Sequence, residues 1–122
     1  MALHHALPGE VMALQALADT SARSIALVRT PLFETIQLIL RAGDSIGEHG
    51  FAATICFQCL EGEATIALDG GEHGIKGGEW LYLEPHTRYG IASVRGANLI
   101  MTLLFENADD AVDRTGQLLA PT

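Results

Sequence analysis

The strongest constraint in this sequence is its punctuation. From residue 25 onward, segments of five to nine residues, most of them largely apolar, are separated by turn-forming residues. These segments are 25-IALVRT-30, 33-FETIQLILR-41, 53-ATICFQCL-60, 63-EATIALD-69, 72-EHGIK-76, 79-EWLYLEP-85, 88-RYGIASV-94 and 98-NLIMTLLFE-106. A buried helix wants roughly 10 residues or more, so segments this short favour strands. Ala42-Gly43-Asp44, Asp69-Gly70-Gly71 and Gly77-Gly78 read as turns, and Glu61-Gly62 as a break between two strands. Asp-Gly between extended segments is a strong hairpin signal, because both residues tolerate positive φ. Seven or eight strands with turns every eight to twelve residues or so predict a closed all-β barrel or a sandwich.

Alternation within the strands predicts which faces are buried. In 33–41, Ile36, Leu38 and Leu40 share an apolar face, while Phe33, Thr35, Gln37 and Ile39 form a mixed one, as in a half-buried strand. Trp80 and Tyr82 share one face of their segment, and Leu81 and Leu83 share the other. Along 98–106, Leu99, Met101, Leu103 and Phe105 alternate with Ile100, Thr102 and Leu104. A strand that is apolar on both sides needs a cover on both, either a terminal segment or a second subunit. In a chain this small a homodimer is the expected cover.

The ends read differently. Residues 10–18 allow a short helix or an irregular strand, and 19-DTSARS-24 is turn-like. The acidic tail 107–122 allows one helical turn over Ala111 to Leu119. The expected organisation is an N-terminal segment over 1–24, a barrel over 25–106 and a tail over 107–122. His4 and His5 fall in the terminal segment, where paired histidines are usually solvated.

The formal net charge of -8 makes a phosphate backbone an unfavourable partner and excludes nucleic acid as the expected one. No basic run suits an anionic membrane, and no apolar run reaches the ~20 residues of a membrane helix. The N-terminus lacks the charged start and apolar centre of a signal peptide, so a cytoplasmic location is expected. Cys56 and Cys59 make a C-x-x-C, but a strand points them to opposite faces and no second pair follows. Two buried thiols acting as small hydrophobes are expected.

Two motifs remain. Gly43, His49 and Gly62 stand at the spacing of a G-x5-H…G frame, with 60-LEGEATIALDG-70 closing it. Gly78 opens a second frame, 78-GEWLYLEPHTRYG-90, of glycine, apolar strand, proline turn and aromatic. Over about residues 33–105 the chain resembles a small single-domain cupin, an RmlC-like jelly roll. The resemblance implies a double-stranded β-helix with short irregular or helical ends, and dimers formed by sheet packing. In metal-binding cupins three histidines and a glutamate hold the ion. Here only His49 keeps a ligand position. Phe51 and Tyr89 stand where histidines would, Ile55 stands where the glutamate would, and Glu84 and His86 replace the proline and glycine of the second motif. A transition metal needs three or four converging N, O or S donors, so no tightly held metal is expected.

In the barrel register Phe51, Ile55, Phe57 and Cys59 share the inward parity. They suit either a pocket for a small, partly apolar molecule or a barrel filled by its own side chains. His49 and Tyr89 are the candidate polar groups, for ligand bonding or as a catalytic pair, or else a leftover rim histidine and a core tyrosine. His86 lies in a turn from which it could join the ligand site. With His49 and Glu48 or Glu84 it is also the candidate for a makeshift divalent-metal site. The expected function is small-molecule binding without a tightly bound metal. The alternatives are an enzyme of the metal-free epimerase or isomerase type, or a metal-dependent oxygenase with a non-standard ligand set.

Overall fold

The computed structural model describes residues 4–19 and 24–105. The tail 107–122, with its expected turn over Ala111 to Leu119, lies outside the described residues. The described chain is built of strands: β1 (Ser24–Arg29), β2 (Phe33–Leu40), β3 (Ser45–His49), β4 (Ala53–Leu68), β5 (Gly71–Lys76), β6 (Trp80–Leu83), β7 (Tyr89–Ala92) and β8 (Ala97–Phe105). All pairings are antiparallel. One sheet runs β1-β2-β8-β4-β6, and the other joins β5, β4, β7 and β3.

Strand β4 belongs to both sheets, which corrects the expected break at Glu61-Gly62. Its first half pairs with β8 and β6, and its second half with β5 and β7. The chain turns the corner at Gly62, whose φ is 75°. A Cβ there would fall on the Gly96 carbonyl oxygen, so both the backbone and the close approach require glycine. The register against β8 slips between Cys59 and Glu61, a bulge that adds the twist a corner needs.

Strand β3 is a second departure. Its sequence, SIGEH, has one apolar residue and no pattern. It is extended because it pairs with β7, Ile46 opposite Ile91 and His49 opposite Tyr89.

Between the sheets, one apolar cluster fills the barrel. Phe57, Ile55, Ile66, Leu99, Ile75, Ile91, Leu38 and Met101 belong to it, from both halves. Cys59 is part of this core, but Cys56 faces outward and is only half-buried, which corrects the expectation of two buried thiols. Burial pushes both thiols above the usual cysteine range, so neither is a ready thiolate.

The outer face of β2 is also covered, contrary to the half-buried strand expected there. Gln37 and Ile39 are fully buried. The N-terminal segment lies over Gln37, and among the described residues it is irregular except for a 3-10 turn at Leu17–Asp19. It is held by a polar clamp. The Gln37 side chain accepts from the Gln15 N–H at 3.0 Å and donates to the Gln15 carbonyl at 2.7 Å, pairing with that peptide as a neighbouring strand would. Asn98 donates to the same carbonyl at 3.0 Å and to Glu61 at 2.7 Å, and Glu61 accepts from the Leu17 N–H at 2.9 Å. These two donors hold the Glu61 carboxyl below the usual carboxylate range. Nearer the start, the Ala6 N–H donates to Leu27, and His4 is paired with Glu10 at 2.8 Å.

Candidate functional site

The predicted site residues divide into two groups. Ile55 and Phe57 sit in the packed core at 1 % and 0 % exposure, so in this conformation only the protein's own atoms touch them. His49, Phe51 and Tyr89 come together at one end of the barrel. His49 ends β3, Tyr89 starts β7 directly opposite it, and Phe51 lies in the loop leading into β4. Their ring centroids form a near-equilateral triangle: His49–Phe51 6.1 Å, His49–Tyr89 6.3 Å and Phe51–Tyr89 6.4 Å. Phe57 supports it from below, edge-on to Tyr89 at 5.4 Å. The triangle thus grades from an exposed histidine, through Phe51 at 38 % exposure, to Tyr89 at 3 %.

Tyr89 is the chemically informative member. Burial pushes its phenol up to about 12. Near neutrality it is therefore a fixed donor, neither a base nor a phenolate. No described group bonds its hydroxyl. Among the described residues no buried polar side-chain atom is left unbonded, so the hydroxyl keeps an opening to solvent. A buried ring with an open polar tip is the arrangement tyrosine adopts at binding surfaces.

The turn after β6 closes over the same end. His86 donates its backbone N–H to the Phe51 carbonyl at 2.7 Å. Gly50 packs against the turn, with the His86 and Thr87 carbonyls and the Arg88 side chain all close to where its Cβ would be. The rim carries an exposed Arg88–Glu48 pair at 3.1 Å. His86 is thus brought beside the aromatic triangle through its backbone.

A divalent metal does not fit this donor set. The rings next to His49 are Phe51 and a protonated Tyr89, and Ile55 in the core has no donor atom. Among the described residues, no group of three or more His, Cys, Asp or Glu side chains is placed to hold an ion.

One residue at this end escaped the sequence reading. Glu34 shares the inward parity of Ile36, Leu38 and Leu40 and stands opposite Leu103, whose β4 neighbour is Ile55. It is buried and paired with Arg29 at 3.0 Å. Extending the alternation two residues toward the start of β2 would have found it.

No family model and no curated protein matches the chain. Solved structures do. A conserved protein of unknown function from Streptococcus pyogenes matches with a TM-score of 0.71 at 17 % identity, over 88 % of this chain and 100 % of that one. A cupin superfamily protein from Desulfitobacterium hafniense matches with a TM-score of 0.70 at 20 % identity, over 80 % and 94 %. KdgF from Halomonas matches with a TM-score of 0.63 at 15 % identity, over 71 % and 82 %. With the two-sheet barrel and the corner at Gly62, these likenesses establish the fold: the chain is a small cupin-fold protein.

Proposed function

We propose that this chain binds a small planar, partly apolar molecule at the barrel mouth, stacked on the His49–Phe51–Tyr89 triangle and oriented by the Tyr89 hydroxyl. The observation that carries this reading is the buried, protonated and unbonded phenol beside two more exposed rings. Such a donor is left dissatisfied by a purely apolar ligand and suits one with a carbonyl or similar acceptor. A phenol held near 12 is poorly matched to proton transfer at neutral pH, so binding is favoured over epimerase-type catalysis.

Benzamide is a suitable probe, being planar, neutral and equipped with one carbonyl acceptor. A dissociation constant of about 1 mM is expected for a ligand of this size. The saturated analogue cyclohexanecarboxamide should bind markedly more weakly. Tyr89→Phe should weaken benzamide about five-fold, the worth of one hydrogen bond. Equal binding of the two amides, or no ring-proton shift at His49, Phe51 or Tyr89 in a titration followed by NMR, rejects the reading.

We further propose that the chain works as a homodimer through the outer face of its larger sheet. In one copy Trp80 is 59 %, Tyr82 55 % and Leu104 46 % exposed. The outward positions of β4, β6 and β8 around them, namely Thr54, Cys56, Gln58, Ile100 and Thr102, carry no charge. In a chain of net charge -8 this is the surface over which two copies meet with least repulsion. Past Leu104 the apolar surface continues to Phe33 and a groove of about 560 Å³ under Leu7 and Pro8.

A further inference from the structure

On the outer face of the larger sheet, one row of side chains crosses all five strands. The register pairs Tyr82 with Cys56, Cys56 with Thr102, Thr102 with Thr35 and Thr35 with Val28. The row runs β6-β4-β8-β2-β1, so Thr102 stands at its centre and Tyr82 and Val28 at its ends. Neighbouring strands lie about 4.8 Å apart, which sets each end roughly 10 Å from Thr102. The relief along the row is uneven. At one end the exposed Tyr82 lies against the exposed Trp80, ring centroids 5.7 Å apart, and the two make an aromatic ridge. In the middle stand the small side chains of Cys56, Thr102 and Thr35, with the two threonine hydroxyls 3.3 Å apart. At the other end Val28 lines the groove of about 560 Å³, with Leu7, Pro8 and Phe33. No member of the row is charged, in a chain of net charge -8.

A ridge and a hollow equally far from one central residue make a surface complementary to itself. In a twofold dimer every contact occurs twice, residue i of one copy on residue j of the other and the reverse. A twofold axis along the strands at Thr102 lays β6 of one copy over β1 of the other, and so brings Tyr82 to the hollow in both. An axis across the strands sets ridge on ridge and leaves both hollows empty, which forfeits the packing of their linings. We propose that a second copy docks on this face with Tyr82 seated in the groove beside the partner's Val28, and the reverse, about a twofold axis running along β8 at Thr102. The proposal rests on the dimer reading above and adds its anchor, its socket and its axis.

Carbon-13-labelled full-length protein is mixed with unlabelled protein and left to exchange subunits. Contacts between copies are then read by isotope-filtered NMR, with light scattering on the same sample. The expected result is a dimer in which the Tyr82 ring touches the Val28 methyl groups across copies. A dimer whose cross-copy contacts join Tyr82 to Tyr82, or omit Val28, overturns this geometry and leaves the dimer standing. A monomer at millimolar concentration removes both. Contacts within one copy from Leu118 or Leu119 to Val28 would put the tail in the groove and also overturn the proposal. Two substitutions complete the test. Tyr82→Ala, at an exposed residue, should raise the dimer dissociation constant about 30-fold, as for an aromatic anchor. Val28→Ala should raise it about five-fold. The double variant should be no weaker than Tyr82→Ala alone, because both changes remove one contact. Losses that multiply would place the two residues in separate contacts and overturn the proposal, as would an unchanged constant for Tyr82→Ala.

Discussion

Tyr89 shows how one substitution changes the chemistry open to a site. At a position where the resemblance implies a metal-binding imidazole, the chain has a phenol whose pKa burial pushes up to about 12. Unfolding returns that phenol to its ordinary value near 10. The folded protein is therefore penalised only at alkaline pH. The stability is intact below pH 10 and is lost as pH rises from 10 to about 12, because the unfolded state ionises first. Alkaline unfolding followed by circular dichroism should show this loss in the parent and a flatter profile in Tyr89→Phe. A parallel fall in both would mean that Tyr89 is not the group responsible. The phenol itself was legible in the sequence as a candidate. Its upward shift was not, since that comes from burial, to which residues of other strands such as Phe57 contribute.

Among the elements, the N-terminal segment and β4 owe most to distant contacts. The segment has no regular pattern, yet it pairs with the buried Gln37 on the outside of β2. It is held through side-chain amides, which act like the edge of an extra strand. Gln37→Ala removes the acceptor of the Gln15 N–H and the donor to Asn98 Oδ1, while Asn98 still donates to the Gln15 carbonyl. A loss of about 2 kcal/mol is expected in urea unfolding. Amide exchange at Gln15 and Leu17 should speed up well beyond that at β8. Unchanged exchange would show that apolar contact alone holds the segment.

For the whole molecule, the question is what covers Trp80 and Tyr82. Both stay more than half exposed, so the two-sided apolar pattern of β6 and β8 is only half answered among the described residues. If a second copy supplies the rest, light scattering should give twice the chain mass. Trp80→Lys should then shift the protein to monomer at micromolar concentration without unfolding it. A monomeric parent at millimolar concentration would reject the dimer.

The sequence alone determined that the chain would be an all-β barrel or sandwich and which residues of most strands would share a face, because a period of two and regularly spaced turns are local properties; the barrel and its inward register came with the cupin resemblance. It also placed His49 and Phe51 in one motif frame and His86 and Tyr89 in a second. Only the tertiary structure decided that β4 passes unbroken from one sheet to the other. The backbone at Gly62 is shaped by the approach of Gly96, 34 residues away. Tertiary contacts alone also made SIGEH a strand and sent Ile55 and Phe57 to the core while His49 and Phe51 stayed at the surface. Alternation tells which way a side chain points along its strand. How deep it lies depends on which neighbours close over it, and those come from elsewhere in the chain.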